Sequence, residues 1–245
     1  MFPSLLPILA QAGRVFLDVL YPPQCAVCLG AAPSGEVICE ACREQAPRIE
    51  APFCQVCSMP FEGNIEGPFI CSDCYERRFA FKCAVATRRS RESVRELIHQ
   101  FKYGGKIPLK KQLGRWLAET LEDPRLQEPR CEYLVPVPLH HARRRERGFN
   151  QARVLAEELS RASGIPVHDC LRRTRYTDTQ TAFDRAARME NLRGAFLLRQ
   201  HRAVTDLHLL LIDDVLTTGS TVDECARVLM AAGAASVRVA TVARA

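Results

Sequence analysis

The sequence predicts an α/β domain, a mostly parallel sheet flanked by helices, preceded by a small cysteine-rich module. Three observations carry this. Eight of the 12 cysteines fall in four Cys-x-x-Cys pairs confined to residues 25–74. From about residue 82, short apolar segments alternate with segments of helical periodicity, the pattern of parallel strands joined by helical crossovers. Charge divides at the same place: residues 1–80 hold five Lys and Arg against nine Asp and Glu, and residues 81–245 hold 29 against 19. A basic second part suits an anionic partner such as phosphate or nucleic acid. The acidic first part argues against the cysteine module as the main phosphate-gripping element. At 47% hydrophobic and 25% charged residues the composition is that of a globular chain, not a disordered one. No run reaches the ~20 apolar residues of a membrane-spanning helix.

Taken in order, residues 1–24 open the chain with Leu5, Ile8, Leu9, Ala12, Phe16, Val19 and Leu20 roughly on one helical face. This predicts a short amphipathic helix that covers an apolar patch of its neighbour; peripheral membrane contact is the alternative. An export signal does not fit, because no basic residue precedes Arg14 and Pro7, Gln11 and Asp18 interrupt the apolar run. A cytoplasmic, reducing setting follows as an expectation, and there cysteines favour metal over disulfides.

Residues 25–80 form the cysteine module, and residues 81–245 the α/β domain. Each Cys-x-x-Cys turn offers two thiolates from one side of a metal, so two turns complete a tetrahedral zinc site. The four pairs, Cys25/Cys28, Cys39/Cys42, Cys54/Cys57 and Cys71/Cys74, therefore predict two structural zinc sites. Spacers of 10, 11 and 13 residues separate the pairs. Pairing consecutive turns closes the shortest loops, while an interleaved arrangement stays open. With all four positions filled, neither metal keeps a place for reacting water, and the metal supplies the folding energy that so short a segment lacks. Cys83, Cys131, Cys170 and Cys225 read as small buried hydrophobes.

In the second part, residues 82–87 predict a strand. Val94, Leu97, Ile98 and Phe101 predict a helix stopped by Gly104 and Gly105, and Leu109, Leu113, Trp116, Leu117 and Leu121 another that ends before Pro124. Residues 132–139 read as a strand. Asn150 caps a helix that runs to Ser163 and stops at Gly164. Short strands follow at 167–171 and 195–198, then a buried central strand at 207–212, a helix at 221–232 ended by Gly233, and a last strand at 236–242.

The segment from Leu209 to Thr221 carries the chemistry. A buried strand ends in Asp213 and Asp214, and Thr217, Thr218, Gly219, Ser220 and Thr221 then open a helix. Ligands of open α/β sheets bind at that edge. Loop amides and hydroxyls beside a helix N-terminus seat a phosphate, and paired carboxylates accept hydrogen bonds from the vicinal hydroxyls of a ribose. The bland alternative is a solvated strand end with an ordinary helix cap. The loop lacks the Gly-Lys-Ser/Thr of a Walker motif.

These residues resemble the phosphoribosyl-pyrophosphate signature of the type I phosphoribosyltransferases. The wider match is closer. Ile98-His-Gln-Phe-Lys-Tyr-Gly104, Val135-Pro-Val-Pro-Leu139, Arg147-Gly-Phe-Asn-Gln-Ala152 and the acid-rich loop follow a cysteine module in that order. The arrangement resembles the ComF family of competence-associated proteins over nearly the whole chain. The resemblance implies a type I phosphoribosyltransferase-like sheet behind a double zinc ribbon. It further implies that Asp213 and Asp214 hold the ribose hydroxyls and that residues 217–221 hold the 5′-phosphate. Arg143, Arg144, Arg145, Arg147 and Gly148 follow the first core strand, where such enzymes bind pyrophosphate; one or two of the arginines are expected there. Residues 174–191 correspond to the loop that closes over substrate, and Lys102 is either a phosphate contact or a solvated helix end. His140 and His141 read as plain loop residues, with phosphate contact or proton transfer as the sharper alternative.

Two functions follow from the resemblance. One is a Mg-dependent phosphoribosyltransferase that binds phosphoribosyl pyrophosphate and passes its sugar to an unknown acceptor, associated with DNA uptake. The other is a non-catalytic protein that uses the same seat as a sensor or to handle single-stranded DNA beside the uptake machinery. Phe149 is the nearest aromatic to the arginine cluster in sequence, so no base-stacking platform is evident. The ligand reading fails if both acids are buried in ion pairs, or if the amides after them turn inward.

Overall fold

A computed structural model of the chain describes residues 22–176, 192–199 and 203–245. The amphipathic segment expected at 1–24 and the closing loop expected at 174–191 lie almost wholly outside the described residues. Two compact units divide between Ala46 and Pro47, within the cysteine-rich segment.

The first unit is held by short-range order around four cysteines. The Cys25 and Ala32 amides donate to the carbonyls of Gly30 and Pro23, each at 2.8 Å, so the chain folds back over the Cys25/Cys28 turn. Helix α1, Glu40–Glu44, starts from Cys39, and its Arg43 pairs with Glu36 and Glu40.

In the second unit the Cys54/Cys57 turn is closed by the Cys54 amide on the Met59 carbonyl at 2.8 Å. Cys71 starts α2, Ser72–Tyr75. The sheet follows. Its strands β1 (Ala84–Arg89), β2 (Tyr133–Pro136), β5 (His208–Leu216) and β6 (Ser236–Arg244) are all parallel, in the order β1-β6-β5-β2. Strands β3 (Leu171–Arg173) and β4 (Phe196–Leu198) pair separately and antiparallel. All nine residues of β6 are buried, as are Leu209, Leu210, Leu211 and Ile212 of β5. Each of those four contributes about 2 kcal/mol relative to an exposed side chain.

The helices are α3 (Glu92–Tyr103), α4 (Lys110–Ala118), α5 (Pro124–Gln127), α6 (His141–Arg147), α7 (Gln151–Ser163) and α8 (Ser220–Ala231). Apolar spacing buries Val94, Leu97, Ile98 and Phe101 on α3, and Leu155, Ala156 and Leu159 on α7. Asn150 caps α7 by accepting from the Ala152 amide at 3.1 Å, and Gly164 ends it in the left-handed conformation. Helices α4 and α7 pack on each other, α7 on β5 and β2, and α8 on β4, β5 and β6.

Three expectations shift. His140 and His141 are not plain loop residues, since His140 caps α6 and His141 opens it. The strand expected at 167–171 forms at 171–173 instead, with Val167 making only a single bridge to Leu134. The helix expected over 109–121 is α4, continued at both ends by 3-10 turns, Ile107–Leu109 and Glu119–Glu122.

Candidate functional site

Strand β5 carries Asp213 and Asp214 to its carboxyl end beside a cavity of about 450 Å³. Successive strand side chains point to opposite faces, yet both acids line the cavity, together with Lys102, Tyr103, Arg143 and Arg147. Asp214 is 5% exposed and pairs with the Lys102 ammonium at 2.8 Å. Asp213 accepts the Asp214 amide at 2.9 Å, and among the described residues it forms no ion pair. One acid is therefore buried in an ion pair and the other is not. Loss of water raises the Asp213 carboxyl to about 7, with the Asp214 charge adding to it and Lys102 opposing. Burial works to lower Lys102, but the Asp214 charge, its hydrogen bond and the Asp213 charge together outweigh it and hold the ammonium above its ordinary value. Lys102 is thus not a solvated helix end; it stands in the cavity lining, paired with Asp214.

After Leu216 the chain turns sharply. Gly219 takes φ 76°, ψ −3°, a left-handed conformation that an L side chain adopts only with strain. Its carbonyl accepts the Asp223 amide at 2.8 Å and so begins α8. The Thr218 and Ser220 hydroxyls lie 3.0 Å apart, and the Ser220 amide reaches Thr218 Oγ1 at 3.4 Å. Among the described residues no acceptor meets the amides of Thr217, Thr218 or Gly219. Thr217 and Thr221 line the cavity; Thr218 and Gly219 border a smaller gap on the loop's other side, and Ser220 is buried at the start of α8.

Helix α6 divides the arginines. Arg143 and Arg147 line the cavity, whereas Arg144, Arg145 and Gly148 are exposed outside its lining. Arg147 donates to Tyr103 Oη at 2.7 Å and to Gln151 Oε1 at 3.2 Å. Gln151 is 3% exposed and lines the cavity, and its Nε2 has no hydrogen-bond partner among the described residues. His140 caps α6 by accepting the Ala142 amide at Nδ1. Burial first, then His141 and nearby arginines, lower its pKa, which leaves a neutral ring whose Nδ1 serves as acceptor.

Sequence reasoning missed Tyr103, Gln151, Arg173 and Tyr176. Tyr103 and Tyr176 are about half exposed, and the Arg147 and Arg143 guanidiniums lie over their rings at 4.6 Å and 5.6 Å. They come to the arginine cluster from 40 residues before it and 30 after it, so only the fold could place them there. Tyr103 lies within the Ile98–Gly104 motif and Gln151 within the Arg147–Ala152 motif, and the place of Gln151 on the first turn of α7 is the available signal.

The cysteines form two clusters, Cys25, Cys28, Cys39 and Cys42, and Cys54, Cys57, Cys71 and Cys74, with the Sγ atoms of each within 4.8 Å of one another. Consecutive turns pair. A tetrahedron with Zn–S bonds of ~2.3 Å has edges of about 3.8 Å. The Cys28–Cys39 and Cys57–Cys71 sulfurs stand 3.7 Å and 3.8 Å apart, so four-thiolate zinc fits both clusters. Of the four scattered cysteines, Cys83, Cys170 and Cys225 are buried and Cys131 is half-buried.

Residues 16–75 match the double zinc ribbon domain family, and residues 146–245 the phosphoribosyl transferase domain family. The chain is 30% identical to competence protein F of Haemophilus influenzae, across 85% of this chain and 90% of that one. It is 34% identical to the DNA utilization protein YhgH of Escherichia coli K12, across 82% and 88%. The chain belongs to the ComF family. Competence protein ComFC of Bacillus subtilis, another relative, is 29% identical over 85% of each chain. Among solved structures, the allosteric regulatory enzyme of purine biosynthesis aligns with 54% of this chain and 25% of its own, at 22% identity and a TM-score of 0.36. The ComF chain thus joins zinc-ribbon-like cysteine clusters to a phosphoribosyltransferase-like parallel sheet. Among the described residues no helix is long and apolar enough to cross a membrane.

Proposed function

We propose that the cavity at the end of β5 binds phosphoribosyl pyrophosphate with Mg²⁺ and passes the phosphoribosyl group to an acceptor, in a protein associated with DNA uptake. One observation carries the reading: two acids at a parallel strand's carboxyl end, followed directly by a left-handed turn in which the amides of Thr217, Thr218 and Gly219 meet no acceptor among the described residues. The relatives' names, competence protein F and DNA utilization protein, support the association with DNA uptake.

In this reading the amides and hydroxyls of residues 217–221 hold the 5′-phosphate at the N-terminus of α8. Asp213 and Asp214 accept from the ribose hydroxyls. Arg143 and Arg147 meet pyrophosphate oxygens, with guanidinium geometry suited to two oxygens at once. Mg²⁺ entering with the pyrophosphate would supply charge neutralisation of the leaving group beside Asp213 and Asp214. The anomeric C–O bond breaks with its electron pair leaving on pyrophosphate, the acceptor's lone pair forms the new bond, and its proton passes to solvent. The two acids favour the positive charge that grows on the sugar ring. The two cysteine clusters each hold a structural zinc.

The second reading, a non-catalytic seat that docks single-stranded DNA, is favoured by exposed Tyr103 and Tyr176 beside Arg147 and Arg143, which restore the aromatic–basic surface the sequence lacked. Calorimetric titration tests the ligand: wild type gives heat with phosphoribosyl pyrophosphate and Mg²⁺, and Asp213→Asn with Asp214→Asn gives none. Absence of heat with wild type overturns the proposal. Pyrophosphate release with a panel of bases and amines then separates the readings, because turnover favours the enzyme and binding without turnover favours docking.

A further inference from the structure

The segment leaving the second cysteine cluster runs behind the loop that follows β5. Arg77, three residues past Cys74, donates from Nη1 to the Thr218 carbonyl at 3.0 Å. Its guanidinium lies over the Phe79 ring, 4.4 Å from the centroid. Phe79 stacks on Phe81 at 4.6 Å and comes up against Gly219, where an added Cβ would stand 3.4 Å from the ring. The Ala80 amide donates to Asp223 Oδ1 at 2.7 Å, which ties the same segment to the first turn of α8. From the end of β6, Arg244 donates to the Leu216 carbonyl at 3.1 Å and to Cys57 Sγ at 4.0 Å. Cys57, Cys74, Phe79, Gly219 and Arg244 close around a gap of only about 10 Å³, at or below the room a single water needs.

We propose that the cluster of Cys54, Cys57, Cys71 and Cys74 is a positioning element for the phosphate loop, acting through Arg77, Phe79 and Arg244. Metal loading of this cluster then sets the loop's geometry and its affinity. The inference rests on the reading of residues 217–221 as a phosphate seat. The linkage is steric and planar. A trans peptide directs its C=O and N–H to opposite sides, so fixing the Thr218 carbonyl on Arg77 aims the Gly219 amide away from the cysteine module. Holding a left-handed turn in one conformation costs backbone entropy, which contacts from outside the turn help to offset. Phe79 blocks retreat of the turn. Cys74 anchors the segment that carries both side chains, and it is the metal that anchors Cys74.

The test uses the full chain with Arg77→Ala, Arg77→Lys and, as a charge-matched control, Arg78→Ala, whose residue is exposed. The measurements are zinc content, amide hydrogen exchange over residues 217–222, and calorimetric affinity for phosphoribosyl pyrophosphate with Mg²⁺. Arg77→Ala is expected to keep the wild-type zinc content, exchange its loop amides about tenfold faster and bind about tenfold more weakly, the scale of one charged hydrogen bond. Arg77→Lys recovers part of both losses, and Arg78→Ala matches wild type. Cys74→Ser, which strips this cluster of metal, reproduces the faster loop exchange. Wild-type exchange and affinity in Arg77→Ala, or unchanged loop exchange in folded Cys74→Ser, overturn the proposal; if Cys74→Ser does not fold, Arg77→Ala decides. Where wild type gives no heat but loop exchange still responds to Arg77, the phosphate reading fails and the positioning link stands.

Discussion

The two cysteine clusters use the same four thiols at the same spacing within each pair, and they differ in what surrounds them. Cys28 is exposed and Cys39 half-exposed, and the first cluster belongs to a unit ordered mainly by short-range backbone bonds and the Arg43 ion pairs. All four cysteines of the second are buried in one apolar core with Phe81, Val135, Leu211, Leu216 and Leu229. Ser58, one residue past Cys57, donates to the β1 carbonyl of Ala84 at 2.9 Å, and Arg125 donates to the Gln55 carbonyl and to Ser58 Oγ. The lesson is that ligand chemistry alone does not assign a metal site its task. The first cluster fastens its own short loops. The second is a brick in the wall that carries β5 and its loop.

The sharpest way to break this contrast is to remove one thiol from each cluster. Cys57→Ser and Cys28→Ser should each lower zinc from about two to about one per chain by metal analysis. Calorimetric scans should then diverge. Structural zinc contributes to the stability of the structure around it, so Cys57→Ser should lower the melting temperature of the larger unit while Cys28→Ser leaves that transition in place. Equal losses would mean that the two clusters are structurally equivalent.

A smaller effect should come from the acid at the strand end. Asp213 is raised to about 7, above the ~3.9 of an unfolded aspartate, so the folded state holds its proton more tightly. Stability from this group is complete below pH ~4 and is lost as pH rises through ~7. Asp213→Asn should flatten that slope, melting above wild type at pH 7.5 and close to it at pH 4. An unchanged Tm profile would show that Asp213 is better hydrated than its setting indicates.

Gly219→Ala tests the turn itself. The left-handed backbone costs an alanine about 1–2 kcal/mol, and the methyl meets the Phe79 ring. A lower Tm together with weakened ligand binding is expected; full binding would loosen the tie between ribbon and loop. Asn150→Ala, away from both clusters, sets the scale of an ordinary helix cap at about 1 kcal/mol by denaturant melting.

Much of the sheet was legible because its signals are local. The apolar run at 209–212 needs burial on both faces, and Asn150 and Gly164 mark the ends of α7 by their own chemistry. The acids and the glycine turn were readable for the same reason. Helix α6 was not, since its sequence, His-Ala-Arg-Arg-Arg-Glu-Arg, carries no apolar stripe and its local signals are confined to its ends, the His140 cap and the left-handed Gly148. Strand β3 moved four residues because its register answers to β4, not to its own alternation. The unequal setting of the two clusters was invisible as well. It depends on Arg77, Arg125 and Arg244, which reach partners 67 to 187 residues away. Tyr103 and Tyr176 were lost to the same distance.

With Lys102 resting on Asp214, the pocket carries its own tethered counter-ion. The buried carboxylate is paired and aimed without help from solution, and the lysine's stem is anchored on α3, one turn before Gly105. Any cation brought in with a guest must therefore compete with an ammonium that never diffuses away. High salt should disturb such a contact far less than the surface pairs, and the guest's grip should depend on how readily α3 lets that side chain swing aside.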